Sequence, residues 1–386
     1  MSTSLTPSVG ATPSMPAPPP AVAVVAGAAS GRSLRVERPA SRRLALLAAL
    51  SAALLATGFL LDAPRGFTGL LLAFLLLTEL ALAGGFFLGL LTVAGARWHA
   101  ALRPVLGAMS ASLPAAALLG VLLLPGVPLL YEWAHGAGHD ELLQRKSAWL
   151  NLPFFSLRLV GCLALWLWST RRLERMPTLP RAAFHVALLA VTWSIASIDW
   201  IQSLEPHWFS TLFALRTATG MVVGGLAAAV VLVVLLREGP ALRGRVTDAH
   251  FHDLGKLLLS FSVLWVYIAY CQHMLIWYTD IPEEAIYYAR RSGPGWSALN
   301  HASLLFGFVL PFLVLLVRRA RGSPAVLLRV AIGVLAAQVL DLWLLIGPPL
   351  SGDQPALGLT ELAGAALAFS LFFLLATRRL RSSATR

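Results

Sequence analysis

Cysteine and lysine are nearly missing from this chain. Its 386 residues hold two cysteines, Cys162 and Cys271, each inside an apolar segment. There is no CxxC pair and no CxxCH. That excludes a cysteine-ligated iron–sulfur cluster and a covalent c-type haem on this chain, and two isolated thiols exclude a disulfide framework. Lysine occurs only as Lys146 and Lys256, so nearly all positive charge is arginine. Charged residues of both signs make up 12% of the chain. So little charge cannot cover a protein with water-facing side chains. There is also no phosphate-binding glycine loop, no HExxH and no Ser/His/Asp arrangement. No catalytic centre with a bound metal is expected.

What is present is apolar: 58% of the residues are hydrophobic. Lipid is the expected solvent. A span needs about 20 apolar residues, and ten stretches qualify: 44–61, 68–94, 105–125, 150–169, 182–202, 210–236, 252–279, 298–317, 325–346 and 358–377. Residues 1–42, rich in Pro, Ala, Ser and Gly, read as a disordered tail. The short apolar run 21–29 has no positive charge before it, since the first arginine is Arg32, so no cleaved signal is expected. The net charge of +12 does not point to nucleic acid, because the arginines lie between apolar runs rather than on one soluble domain.

The arginines orient the spans. Of the 30 Lys and Arg, 21 fall in the tail, in the loops after even-numbered spans and at the C-terminus. Five, Arg65, Arg145, Lys146, Arg290 and Arg291, fall in the odd-numbered loops. Cytoplasmic loops carry the Lys/Arg excess, so both termini are expected in the cytoplasm, with a ten-helix transmembrane domain over residues 43–386. The short segment "SIDWIQSLEPHWFS" (197–210) then turns at the outer face. It concentrates Asp199, Glu205, His207 and Trp208, and Trp200 and Trp208 are expected at headgroup depth. The longer outer loops, 126–149 and 280–296, carry mixed charges and aromatics and suggest a docking surface.

Ionisable groups inside hydrocarbon are costly and call for a partner or a role. Glu79, midway along the second span, is either a relay carboxylate beside a water-lined cavity or a protonated acid bonded to a neighbouring helix. Asp199 and Arg216 lie at similar depth on adjacent spans and suggest a structural pair, with a quinone or proton site as the sharper reading. His252, Asp253 and Lys256 open the seventh span; they form a proton uptake point or an interfacial anchor with a snorkelling lysine. Asp341 in the ninth span and Glu361 in the tenth lie toward the outer side. His273 and His301, on adjacent spans, are too weak a pattern for a b-type haem.

Three stretches, "KSAWLNLPFFSLRLVG", "SIDWIQSLEPHWFSTLFAL" and "HDLGKLLLSFSVLWVYIAYCQHMLIWYTDIPEE", resemble the F subunit of bacterial alternative complex III, within the polysulfide-reductase C-like, or NrfD-like, membrane proteins. The resemblance covers spans four to eight. It implies two four-helix bundles, spans two to five and six to nine, with spans one and ten flanking. It implies a subunit of a quinol:cytochrome c oxidoreductase in the bacterial inner membrane. The partners it implies are an NrfD-like sister membrane subunit, a periplasmic iron–sulfur subunit and c-type haem subunits, which carry the redox cofactors. The role it leaves to this chain is structural and proton-conducting. The proton-path candidates among its residues are Glu79, Asp199, His252, Asp253, Lys256 and Asp341, and Glu205, His207, Trp208 and Arg216 are candidates for the outer turn or a partner contact.

Two other readings stand beside this one. One is a quinone-binding NrfD-like anchor for another periplasmic oxidoreductase. The other is a proton-coupled secondary transporter, for which Gly84-Gly85 and Gly224-Gly225 offer an echo of paired broken helices.

Overall fold

The computed structural model describes residues 30–96, 98–136, 138, 140–352, 355 and 357–384. Among these residues ten helices are long and apolar enough to cross a membrane. They are α1 (Ser41–Leu61), α2 (Ala63–Val93), α3 (Arg103–Leu130), α4 (Leu152–Arg175), α5 (Leu179–Leu204), α6 (Phe213–Leu236), α7 (Asp248–Thr279), α8 (Pro294–Leu316), α9 (Pro324–Ser351) and α10 (Leu359–Ser382). The chain is an all-α, multi-pass membrane protein. An even number of crossings places both ends on one face, the face that carries most of the arginine.

The helix that contains α1 starts at Ser30, so it reaches into the stretch expected as a tail. Extending a nucleated helix needs only one residue fixed per bond gained, which favours such growth. Residues 1–29, the rest of that expected tail, lie outside the described residues. Other ends follow local chemistry. Asp62 caps α2 by accepting from the Arg65 amide, and Asn151 caps α4 by accepting from the Phe154 amide at 3.0 Å. Span three, expected over 105–125, runs longer. It is broken by tight turns at Ser110–Ser112 and Leu124–Gly126, close to Pro114, Pro125 and Pro128.

Helices α2 to α5 pack as one four-helix bundle and α6 to α9 as a second, while α1 and α10 lie against α2. The bundles join where α2 meets α6. A Cβ on Gly225 would overlap that of Ala83, so the contact exists only because α6 has glycine there. Gly224 serves a second approach, since its Cβ would lie 3.0 Å from Gln338 Cγ of α9. The glycine pairs are therefore packing surfaces within continuous helices, not breaks.

Central helices are apolar on every side. The apolar window of α2 is 94% buried, against 22% for α1 and α8. A polar group within that window faces protein rather than lipid, and Glu79 is 2% exposed.

Candidate functional site

The turn after α5 is held from within the chain. Asp199 is fully buried and accepts two bonds from Arg158 of α4, at 2.5 Å from Nε and 3.1 Å from an Nη. Trp149 Nε1 donates to the same carboxylate at 2.8 Å, and the Arg158 guanidinium lies 4.2 Å from the Trp149 ring centroid. Asp199 is therefore paired with Arg158, not with Arg216 as the sequence suggested. The preceding loop clamps the turn from outside: Tyr131 donates to the Trp200 carbonyl at 2.8 Å and Lys146 to the Pro206 carbonyl at 2.5 Å. Burial holds the Tyr131 phenol above its usual pKa and pulls the Lys146 ammonium below its own, the latter opposed by Asp140.

Trp200 and Trp208 are 1% and 4% exposed, so they fill protein interior rather than the headgroup layer. Trp208 stacks on Tyr287 at 3.9 Å and donates to the Glu284 carbonyl. Glu205 is also internal. It accepts from Arg291 at 2.7 Å and from Arg290 at 3.2 Å. Of the four residues expected at the outer turn or a partner contact, only His207 is exposed, with Nε2 3.2 Å from Asp140.

Arg291 deserves a physical account because it is a buried arginine. It sits after the short helix Pro282–Arg290. Besides Glu205, it donates to the carbonyls of Leu344 at 2.8 Å and Leu345 at 3.2 Å, both in α9. Four residues beyond those carbonyls stand Pro348 and Pro349, which have no N–H to give them. Arg291 thus satisfies two acceptors that α9 itself orphans. Its guanidinium also lies 3.5 Å from the Tyr287 ring centroid.

The second bundle holds a further arginine–aspartate centre. Arg216 of α6 grips both carboxylate oxygens of Asp341 in α9, one of them at 2.9 Å. Trp265 Nε1 of α7 donates to Asp341 at 3.3 Å. One helical turn earlier on α9, Gln338 donates to Glu79 of α2 at 3.1 Å. Glu79 therefore has a partner, and the buried Glu79, Gln338 and Asp341, with the partly buried Arg216, form a line of side chains from one bundle to the other.

That line ends at a cleft. Between α6, α7, α8, α9 and the short helix lies a cavity of about 500 Å³, lined by Arg216, Asp341, Trp265, Tyr287, Tyr288, Arg291 and the exposed His273 and Tyr270 of α7. Burial raises the phenol pKa values of Tyr287 and Tyr288, so both stay neutral donors across the physiological range. Gln272 also lines the cavity, and its Oε1 is buried with no hydrogen-bond partner.

His252, Asp253 and Lys256 stand apart from this line, at the opposite, arginine-rich end of α7. Lys256 pairs with Asp253 at 2.6 Å, and both keep substantial exposure. Sequence reasoning missed Arg158, Gln338 and Arg291. It also missed a buried polar patch in the first bundle, where His185 Nδ1 meets the Ser169 hydroxyl at 3.0 Å. Nearby, His185 Nε2, Thr170 Oγ1 and Ser110 Oγ have no partner. Among the described residues no group of three or more metal-ligating side chains converges.

No protein-family model matches the chain, and no curated protein matches it in sequence.

Proposed function

We propose that this chain is the membrane subunit of a quinol:cytochrome c oxidoreductase of the alternative complex III kind, and that it carries protons rather than electrons. One observation supports this most: the line Glu79–Gln338–Asp341–Arg216, which starts mid-membrane and ends at a polar cavity. Carboxylates at such depth cost a few kcal/mol each unless they serve a pathway or find partners. On this reading Glu79 receives protons from the arginine-rich side, through the His185, Thr170 and Ser110 patch. Gln338 fixes the Glu79 carboxyl, and Asp341, one helical turn further along α9, passes the protons toward the cleft. The arginine bias supports a cytoplasmic arginine-rich face, and the membrane on this reading is a bacterial inner membrane. Redox cofactors sit on periplasmic partner subunits, an iron–sulfur protein and c-type haem proteins, beside an NrfD-like sister subunit.

The test is proton translocation per quinol oxidised by the intact complex in vesicles. Glu79→Gln and Asp341→Asn are each expected to lower the ratio while quinol oxidation continues. An unchanged ratio in both variants sinks the relay.

The cleft favours a second role, as a quinone site. A quinol hydroxyl is a donor matched to the unpartnered Gln272 Oε1, and the Tyr287, Tyr288 and Trp265 rings suit a flat headgroup. A photoreactive quinone analogue is expected to label α7 or the helix Pro282–Arg290, and Gln272→Leu to abolish that labelling. Labelling confined to another subunit removes this role.

A further inference from the structure

A smaller cavity lies at the opposite end of the molecule, away from the Asp341 cleft, and reaches the His185 patch only through Ser169 in its lining. It measures about 220 Å³ and opens between α4 and α5 at the arginine-rich face. Trp168 and Phe184, 47% and 50% exposed, form its apolar walls. Arg172 from the end of α4 and Arg181 from the start of α5 stand at its mouth.

Neither arginine is neutralised. Arg172 lies 5.5 Å from the Trp168 ring centroid, and Arg181 donates to the Met176 carbonyl at 3.4 Å. Among the described residues no carboxylate pairs with either. The arginines of the polar centres, Arg158, Arg216 and Arg291, each have an acid. Arg175 adds positive charge nearby on α4, while Arg171 and Arg379 lie close enough to Glu174 to offset its negative charge. The α5 helix begins here with no side-chain cap on its first turn, which adds the positive end of its dipole. Below the mouth, Leu165 of α4 and Val191 of α5 continue an exposed apolar surface toward the bilayer core.

From this arrangement we infer a site for an anionic phospholipid. The phosphate lies between Arg172 and Arg181, and the acyl chains run down the α4–α5 groove past Trp168 and Phe184. The ligand comes from the bilayer, because an apolar groove that opens to lipid suits acyl chains and offers nothing to a free phosphate ion. Basic pockets between transmembrane helices recognise charged headgroups in this way. Zwitterionic lipid carries the same phosphate, but its ammonium is repelled by the surrounding arginines.

Native mass spectrometry of the full chain, purified in mild detergent and offered phosphatidylglycerol or phosphatidylethanolamine, tests the site. One phosphatidylglycerol is expected to stay bound under conditions that strip phosphatidylethanolamine. The double variant Arg172→Gln/Arg181→Gln is expected to hold it about thirtyfold less tightly, at roughly a factor of five for each basic group. Arg318→Gln/Arg319→Gln, which removes equal charge from the same face, is expected to hold it as the unaltered chain does. Equal loss in both double variants, equal retention of the two lipids, or displacement by millimolar inorganic phosphate overturns the proposal. Melting temperature confirms that each variant is folded, and Arg181→Gln alone, with about a fivefold loss, replaces a double variant that is not.

Discussion

The two bundles hold the same three chemical groups in different surroundings. In each, an aspartate on the last helix is gripped by an arginine of another helix and receives a tryptophan N–H: Asp199 with Arg158 and Trp149, Asp341 with Arg216 and Trp265. In each, the arginine also lies over the tryptophan ring, at 4.2 and 5.1 Å. The first centre stands apart from the cavity of about 500 Å³. It contacts Phe154 and the Trp149 carbonyl, and the Arg158–Asp199 pair itself is buried. The second lines that cavity and continues through Gln338 to Glu79. The same trio thus ties a turn in one bundle and ends a polar path in the other. What separates the roles is the space and the next polar group, not the ion pair.

The largest expected effect breaks the comparison at its first member. Asp199→Leu leaves Arg158 buried without a counter-charge, and removing one member of a buried pair costs about 3–5 kcal/mol. Asp341→Leu leaves Arg216 facing a cavity that admits water, so the loss is about 1–3 kcal/mol. Unfolding of each variant in detergent measures both, and equal losses would erase the distinction. The double replacements sharpen it. Arg158→Leu/Asp199→Leu is expected to fold with near-native stability and native proton yield. Arg216→Leu/Asp341→Leu is expected to fold but to lose proton translocation.

A middle-sized effect comes from the glycine that lets α9 approach. Gly224→Val crowds Gln338, at an expected cost of about 1–3 kcal/mol. It is also expected to lower proton yield by turning the amide away from Glu79. Gly220→Ala, whose added Cβ would lie 3.0 Å from the Gln338 amide nitrogen and 3.6 Å from Asp341 Oδ2, tests the same approach with a smaller side chain.

The smallest effect is alkaline. Tyr131, beside the first centre, and Tyr287 and Tyr288, at the open one, all have phenol pKa values raised by burial above the ordinary value of about 10. The folded chain therefore keeps protons that the unfolded chain releases. Their stabilising contribution is complete below pH 10 and falls as pH rises above it. Spectrophotometric titration is expected to show these three phenols ionising only above the ordinary phenol range of about 10. Early ionisation of Tyr287 and Tyr288 alone would mean that the cleft is wetter than its lining indicates.

The span count was legible because hydrocarbon leaves few solutions for a long apolar run. The buried carboxylates were legible for the same reason: Glu79, Asp199 and Asp341 stand out by cost alone. Their partners were not. Gln338 lies 259 residues from Glu79, and Asp341 lies 125 from Arg216. No periodicity spans such separations. Asp199 was matched with Arg216 because the two are close in sequence, whereas its partner Arg158 lies one helix back. Arg291 was counted as a loop charge. A signal for it did exist, since Pro348-Pro349 inside an apolar span leaves two carbonyls in need of a donor. Trp200 and Trp208 were assigned to the headgroup layer by composition, but the loop over residues 131–149 covers that turn, and depth in a covered protein is not depth in a bilayer.

The sequence distance within each ion pair also sets a schedule for synthesis. Arg158 meets its carboxylate 41 residues later, while Arg216 waits 125. At about 5–20 residues per second, the first wait is a few seconds and the second on the order of 10 s. For that interval the half-built second bundle carries a bare guanidinium at membrane depth, until the ninth helix arrives. A ribosome that stalls between residues 216 and 341 therefore leaves Arg216 without its acid, whereas one that stalls between residues 199 and 216 leaves the Arg158–Asp199 pair already closed.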